Sequence, residues 1–342
     1  MAKRRVRDPL RALSADSQSK LRRAKPPDAV APMLATLTEQ REFGDDWVFE
    51  HKFDGERCFG FIHHGQATLR SRSDRDVTST YPELSAALER QAHLDAVVDG
   101  EVVAVRGGDV LGFQDLQQRL GQRAPSRQLV ATVPIALCAF DVVFLDGHDV
   151  TGLRLVDRKA LLREAVGFDD VVRYTTHEQG DSRRHFERAC ASGWEGLIAK
   201  EASSTYTAGR SRQWLKLKCI GEQELVVGGF TEPRGTRVGL GALLVGYYED
   251  GKLRYAGKVG TGFDRATLED LRARLTTLQR STSPFAEAVR PLPPGTRWVR
   301  PQLVAQIGFG EWTRAGRLRQ PRFLGLRDDK APEDVVRESS QQ

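Results

Sequence analysis

The 342 residues carry 39% apolar and 29% charged side chains, the balance of a globular chain long enough for two domains, each with its own core. No apolar run approaches the ~20 residues that span a bilayer, and the basic start lacks the apolar core of a secretory leader, so the sequence excludes a membrane protein and points to the cytoplasm. The net charge of +6 is uneven: residues 1–25 hold nine Lys/Arg against Asp8 and Asp16, and the rest of the chain sums to −1, so a polyanion must be gripped by the tail or by local patches.

Residues 1–28 lack apolar periodicity and end in Pro26-Pro27, which predicts a disordered basic tail or linker. The apolar run Trp47-Val48-Phe49 then leads into Glu50-His51-Lys52-Phe53-Asp54-Gly55. Read as a strand, its side chains alternate, so Val48, Glu50 and Lys52 share one face while Trp47, Phe49 and Phe53 share the other. Lys52 stands at the strand's end, before a glycine that lets the chain turn. Residues 57–62 and 67–70 flank a turn at Gly65 as a β-hairpin, and residues 81–94 show helical spacing with Pro82 in the first turn. A strand over 97–105 is interrupted by Asp99-Gly100-Glu101, with Glu101 on the face of Val103 and Val105. A helix over 113–120, a strand over 139–145 and helices over 158–166 and 182–191 follow. Residues 196–200 and 214–218 read as strands, the second placing Lys216 and Lys218 on one face and Leu215 and Leu217 on the other.

Around residue 222 the pattern changes to short strands over 225–230, 242–248 and 253–259, then a helix over 264–279 with Asp264 as N-cap, then a strand over 303–309. Strands, one helix and more strands in about a hundred residues suit a five-stranded barrel of the OB type. Cys58, Cys138, Cys190 and Cys219 lie far apart and read as reduced packing residues, and the seven histidines show no zinc-ligand spacing. From Arg290 to Arg322 there are seven arginines and one acid, Glu311, a local basic strip.

The strand ends collect an amine, carboxylates, an aromatic ring, arginines and paired lysines. That set suits attack on a nucleoside triphosphate, with carboxylates for a divalent cation, cations for phosphate charge and a ring for the base. A lysine attacks only as the free amine, so burial or a nearby cation has to disfavour the ammonium. Each residue alone also has a plain structural reading: Phe140 as core, Glu195 as a helix-end charge, Lys216 and Lys218 as a solvated strand face.

In series, these stretches resemble the covalent nucleotidyltransferases, and among them the ATP-dependent DNA ligases. Lys52-Phe53-Asp54-Gly55 is similar to the lysine motif, Ser71-Arg72 to the ribose motif and Asp99-Gly100-Glu101 to the third. Phe140-Asp141 resembles the base-stacking segment, the stretch from Glu195 to Lys200 the fourth motif and the stretch from Trp214 to Lys218 the fifth. The run from Arg322 to Lys330 resembles the C-terminal motif, in the wording of the ligase domain of bacterial nonhomologous end-joining ligase D. The resemblance implies an α+β fold: a nucleotidyltransferase (ATP-grasp-like adenylation) domain over residues 29–221, an OB-fold domain over 222–332 and a disordered tail over 333–342. It implies that Lys52 takes AMP from ATP and passes it to a 5′-phosphate, which the 3′-hydroxyl then attacks. Glu50 would contact adenine through its backbone, Arg57, Arg72 and Glu101 the ribose or its surroundings, and Phe140 the base. Glu195, with Glu101, would hold Mg²⁺ or Mn²⁺. Lys216 and Lys218 would bind the α-phosphate, while Arg327, Asp329 and Lys330 would orient pyrophosphate in the first step only. The partners implied are nicked or broken double-stranded DNA, an end-binding protein and separate polymerase or nuclease subunits, for a monomer working at the nucleoid. The rivals are an RNA ligase, a GTP-using capping enzyme and a catalytically silent DNA-binding protein.

Overall fold

The computed structural model describes residues 9–91, 93–219, 221–233, 235, 238–313 and 315–338. The chain divides into two compact units, the first running to Cys219 and the second taking up the chain directly after it.

In the first unit the strands are β1 (Met33–Leu37), β2 (Trp47–His51), β3 (Glu56–His63), β4 (Gln66–Ser71), β5 (Ala96–Arg106), β6 (Ile135–Leu145), β7 (Val172–Tyr174), β8 (His177–Gln179), β9 (Gly196–Glu201) and β10 (Gly209–Lys218). Helices α1 (Pro82–Glu89), α2 (Leu155–Ala165) and α3 (Ser182–Ala191) lie among them. One sheet runs β6-β5-β3-β4 with antiparallel neighbours and β7 parallel on β6. The other runs β8-β2-β9-β10-β1, with only the β10–β1 pair parallel. The two sheets pack face to face through Val48 and Trp214 on one side and Phe59, Val97, Val143 and Phe144 on the other. Leu84 and Leu88 of α1 and Leu161 and Leu162 of α2 fill the core behind the first sheet, and Phe186 and Ala189 of α3 pack behind the second. β6 is buried at every position because it is covered on both faces, which is why its sequence shows an apolar run and not an alternation.

The second unit contains β11 (Gly221–Thr231), β12 (Ala242–Glu249), β13 (Lys252–Val259), α4 (Arg265–Thr277), β14 (Thr296–Val299), β15 (Val304–Phe309) and β16 (Arg322–Leu326). The order β13-β12-β11-β15-β16 is antiparallel throughout, and it closes where Phe323 N–H donates to the Thr261 carbonyl at 2.9 Å. A closed five-strand ring with one helix is the OB arrangement, and α4 starts where expected, Asp264 accepting from Thr267 N–H at 2.7 Å.

Three expectations are corrected. Residues 9–28 are not a disordered tail: Leu10 is buried in the first core, Ser14 caps a short helix, Ala15–Ser19, and the Ser17 hydroxyl donates to Asp157 at 2.7 Å. Arg22–Arg23 then adds to the first sheet beside His148–Asp149. The docking is done by a few apolar residues and a ready sheet edge, too little to leave a period in the sequence; residues 1–8 lie outside the described residues. The C-terminal tail expected over 333–342 is likewise ordered through 338, with Val335 fully buried and its carbonyl accepting from Tyr248 N–H at 2.7 Å. Residues 339–342 are outside the described set. Finally, Cys190 and Cys219 are not reduced packing residues but form a disulfide, because α3 brings positions 29 apart in sequence side by side; Cys58 and Cys138 are buried and free, as expected.

Candidate active site

On the face of the second sheet that meets the first, register sets side chains in rows. Val48, Lys200 and Trp214 form one row, and Glu50, Ile198 and Lys216 the next. Lys52 follows β2 and its N–H bonds the Gly196 carbonyl at 3.0 Å, while Gly196 stands opposite Lys218, giving a third row at the open end. Strands lie ~4.8 Å apart, so Lys52 and Lys218 sit two strands, roughly 10 Å, from each other at the backbone, with no side chain between them. Gly196 has to be glycine. Its φ is +156°, and a Cβ there would come within 1.9 Å of the Leu217 carbonyl oxygen. At the turn, a Cβ on Gly55 would meet the Val102 carbonyl at 2.1 Å, and Asp54 accepts from Phe113 N–H at 3.1 Å, which anchors the loop after Lys52.

The Lys52 ammonium pairs with Glu195 Oε2. The other oxygen, Oε1, is buried, has no hydrogen-bond partner among the described residues and lies 3.8 Å from the Lys218 ammonium. Glu195 thus stands between the two lysines, in contact with Lys52 and within ion-pair reach of Lys218.

The first sheet supplies the rest. Arg57 on β3 forks onto Asp99, Nη2 to Oδ2 at 2.6 Å, and Asp99 also accepts from the Tyr206 hydroxyl at 2.7 Å. Burial alone would weaken the guanidinium's hold on its proton, yet Asp99 raises it above the ordinary arginine value. Glu101 stands opposite Arg57 on β5, and its Cγ is 3.0 Å from where a Cβ on Gly55 would sit. Arg72 lies in the turn after β4, half-buried, and no hydrogen bond or ion pair among the described residues joins it to this group. Phe140 is the extra residue of a β-bulge, falling between the pairs Asp99–Asp141 and Gly100–Ala139, and bulges re-aim a side chain. Its ring, 8% exposed, has the Arg57 guanidinium 4.5 Å and the Lys200 ammonium 4.4 Å from its centre.

Sequence reasoning missed the buried charges beneath this ring. Glu50 contacts Lys159 at 2.5 Å and Lys200 at 2.5 Å, all three almost fully buried. Burial works to raise the Glu50 pKa, and the two lysines outweigh it and leave it lowered. Burial takes Lys200 from the ordinary 10.5 down to about 8 despite Glu50. Lys200 closes the fourth motif, and that signal was in hand, but nothing in the sequence paired it with Glu50. On the opposite face of β2, His51 stacks on Trp194, ring centres 3.8 Å apart and planes 12° from parallel, and Phe53 packs against His51 at 4.4 Å. Burial holds His51 down at about 4, so the ring is neutral. A cavity of about 240 Å³ opens beside these residues, lined by Glu50, His51, Phe53, Cys138, Thr175 and Trp194 among others. The Cys190–Cys219 bond joins the end of α3 to the residue after Lys218, and Cys219 N–H bonds the Glu195 carbonyl at 2.9 Å.

Arg327, Asp329 and Lys330 belong to the second unit. Arg327 forks onto the buried Asp329 with both bonds at 2.8 Å, and Lys330 donates to Glu224 at 3.0 Å. Burial works to raise the Asp329 pKa, but Arg327 leaves it lowered. Within the basic strip, Arg297 pairs with Glu232 at 3.1 Å and Arg317 with Glu287 at 3.7 Å, and Arg314 is outside the described residues.

Two family models match the chain, an ATP dependent DNA ligase domain over residues 32–218 and an ATP dependent DNA ligase C terminal region over residues 236–330. The multifunctional non-homologous end joining protein LigD of Mycobacterium bovis is 40% identical over 320 residues, which cover 91% of this chain and 40% of that protein. Its namesake in Pseudomonas aeruginosa is 37% identical, covering 91% of this chain and 37% of that protein. The chain thus spans about 40% of the length of these relatives. A solved mycobacterial DNA ligase D complexed with ATP and MES superposes with a TM-score of 0.66 at 38% identity, covering 91% of this chain and 99% of that one. The ligase domain of Mycobacterium tuberculosis LigD gives 0.50 at the same identity and coverage.

Proposed function

We propose, from the premise that the chain belongs to the ATP-dependent DNA ligase family, that it seals 5′-phosphate/3′-hydroxyl nicks in double-stranded DNA through a lysyl-AMP intermediate on Lys52. The observation that carries this reading is the row Lys52, Gly196, Lys218 with Glu195 against the amine, a nucleophile and a phosphate-binding cation held across an emptied strand position. The Lys52 amine attacks the α-phosphorus of ATP, a nitrogen–phosphorus bond forms, the bond to the bridging oxygen breaks and pyrophosphate leaves. AMP then moves to the 5′-phosphate at a nick, and the 3′-hydroxyl displaces it. Each step is an in-line displacement at phosphorus, so positioning and charge neutralisation carry most of the rate.

In this reading Lys216 and Lys218 neutralise the α-phosphate, and Arg57, Arg72 and Glu101 hold the ribose or its surroundings. Glu50 offers its backbone to adenine. Phe140 takes the base on its ring, and at 8% exposure it does so only after a neighbour gives way. Arg327, Asp329 and Lys330 orient pyrophosphate in the first step. The buried Oε1 of Glu195, without a hydrogen bond among the described residues, fits a divalent cation, with Glu101 as the second carboxylate; Mg²⁺ or Mn²⁺ held there would offset phosphate charge. The likeness to LigD supports a role in nonhomologous end joining on chromosomal DNA, with an end-binding protein as partner. Intact mass before and after ATP and magnesium tests it. One added AMP on the wild type and none on Lys52→Ala supports the proposal, and an unmodified wild type refutes it. Lys330→Ala should lose AMP attachment yet seal pre-adenylylated nicks, and equal loss in both assays counts against the assigned role.

A further inference from the structure

The hairpin between β3 and β4 turns through His63, His64, Gly65 and Gln66, and Asp95 immediately precedes β5, whose Ala96 pairs with Ile62. This end of β3 is seven residues from its start near the nucleophile loop, roughly 23 Å along the strand, so the group is separate from the site described above. Successive strand residues point to opposite faces. His64 breaks that rule because its φ is +49°, in the left-handed region that a histidine rarely occupies. The result is two adjacent imidazoles on one side, ring centres 3.8 Å apart. Asp95 faces both: Oδ2 lies 3.1 Å from His63 Nδ1, and Oδ1 accepts from His64 N–H at 3.1 Å. The carboxylate is fixed from behind, since Asp95 N–H donates to Asp146 Oδ1 at 3.0 Å and the Asp95 carbonyl accepts from Asp146 N–H at 2.7 Å. One ligand atom from each of the three residues falls within 4.8 Å of the others.

We propose that His63, His64 and Asp95 bind a divalent ion of the zinc class. Two neutral imidazoles and a carboxylate are borderline donors, the set that zinc, cobalt or nickel prefers and that magnesium and calcium, which take oxygen ligands, do not. Four-coordinate zinc with ligands at ~2.0–2.2 Å spaces its donors by roughly 3.4 Å, so closing from 4.8 Å needs about 1 Å of ring movement at an exposed hairpin tip. The His64 N–H bond to Asp95 orients the carboxylate from the second rank, as metal sites commonly require. The ion would tie the hairpin tip to the connection entering β5. It would keep one position for water or for a donor from another molecule.

The test uses the full chain, stripped with a chelator and titrated with Zn²⁺ by calorimetry and with Co²⁺ by visible absorption, in excess magnesium. The expected result is one equivalent bound at micromolar affinity or better. His64→Ala and Asp95→Asn should each bind at least about 10-fold more weakly, with AMP attachment in magnesium unchanged. His64 is exposed, so its replacement leaves the fold intact, and melting curves of both variants check this. Three outcomes overturn the proposal: no binding below about 0.1 mM, equal affinity in wild type and both variants, or displacement of the ion by magnesium. The His63–Asp95 contact would then be a local imidazole–carboxylate contact and nothing more.

Discussion

Replacing Lys200 by methionine removes a proton that the fold holds at a cost. The side chain is 2% exposed, its ammonium touches Glu50 at 2.5 Å and lies 4.0 Å from the centre of the Trp214 ring. With the folded pKa at about 8 and the unfolded one at 10.5, the unfolded chain binds more protons between those two values. Stability of the wild type therefore rises with pH across that window, the full penalty applying below 8 and none above 10.5. The size is the shift of about 2.5 units times 1.36 kcal/mol, on the order of 3 kcal/mol. Methionine keeps length and apolar body but has nothing to titrate, so the variant lacks this slope. In urea unfolding at pH 7 to 10.5, followed by tryptophan emission, the unfolding free energy of the variant minus that of the wild type should fall by about 3 kcal/mol as pH rises. Other titrating groups cancel in the difference to first order, whatever constant offset the lost contacts add. A difference that stays flat within about 0.5 kcal/mol would refute the claim that Lys200 is charged, buried and only partly compensated.

Gly196→Ala should separate β9 from β10 at the nucleophile's row, since its Cβ would sit 1.9 Å from Leu217 O; a loss on the order of 3 kcal/mol by thermal melting and little AMP attachment are expected. His51→Ala removes the stack on Trp194, which should cost about 1 kcal/mol and lower the rate of AMP attachment with little change in the KM for ATP, while His51→Phe restores the rate. Reducing Cys190–Cys219, or Cys190→Ser, opens a link across 29 positions and should lower unfolding free energy by about 3.5 kcal/mol on the chain-entropy scale, read by urea unfolding with and without reductant. Glu195→Gln should abolish AMP attachment, read by intact mass after incubation with ATP and magnesium; undiminished attachment would show that the carboxylate beside Lys52 plays no part.

The parts of the site legible in the sequence are those that chemistry fixes locally. Lys52 ends a strand before a forced glycine, Lys216 and Lys218 alternate with leucines that pack behind the second sheet, and Asp264 caps a helix. The parts that were not legible depend on what the fold brings from elsewhere. Lys159 comes from α2, Asp99 and Tyr206 are 107 positions apart, and Phe140 is turned by a bulge that no alternation reveals. Strand 139–145 was read four residues short at its start because β6, buried on both faces, carries no period to mark where it begins. The N-terminal docking and the disulfide failed for the same reason: each needs a surface built by residues more than twenty positions away.

The geometry sets two lysines, Lys52 and Lys218, around one carboxylate, Glu195. Lys52 is 18% exposed at its side chain and in contact with Glu195, which is 5% exposed and has one oxygen unsatisfied. One carboxylate therefore lies against Lys52 and 3.8 Å from the Lys218 side-chain nitrogen. Under the proposed lysyl-AMP chemistry, Glu195 must move off Lys52 for attack, and its oxygen already without a hydrogen bond is the one placed to take a new partner. Under the same proposal Lys218 gains the α-phosphate as Glu195 lets go, since it already lies 3.8 Å from that carboxylate. On this account, the spacing Lys52, Gly196, Lys218 lets one carboxylate serve two lysines in turn.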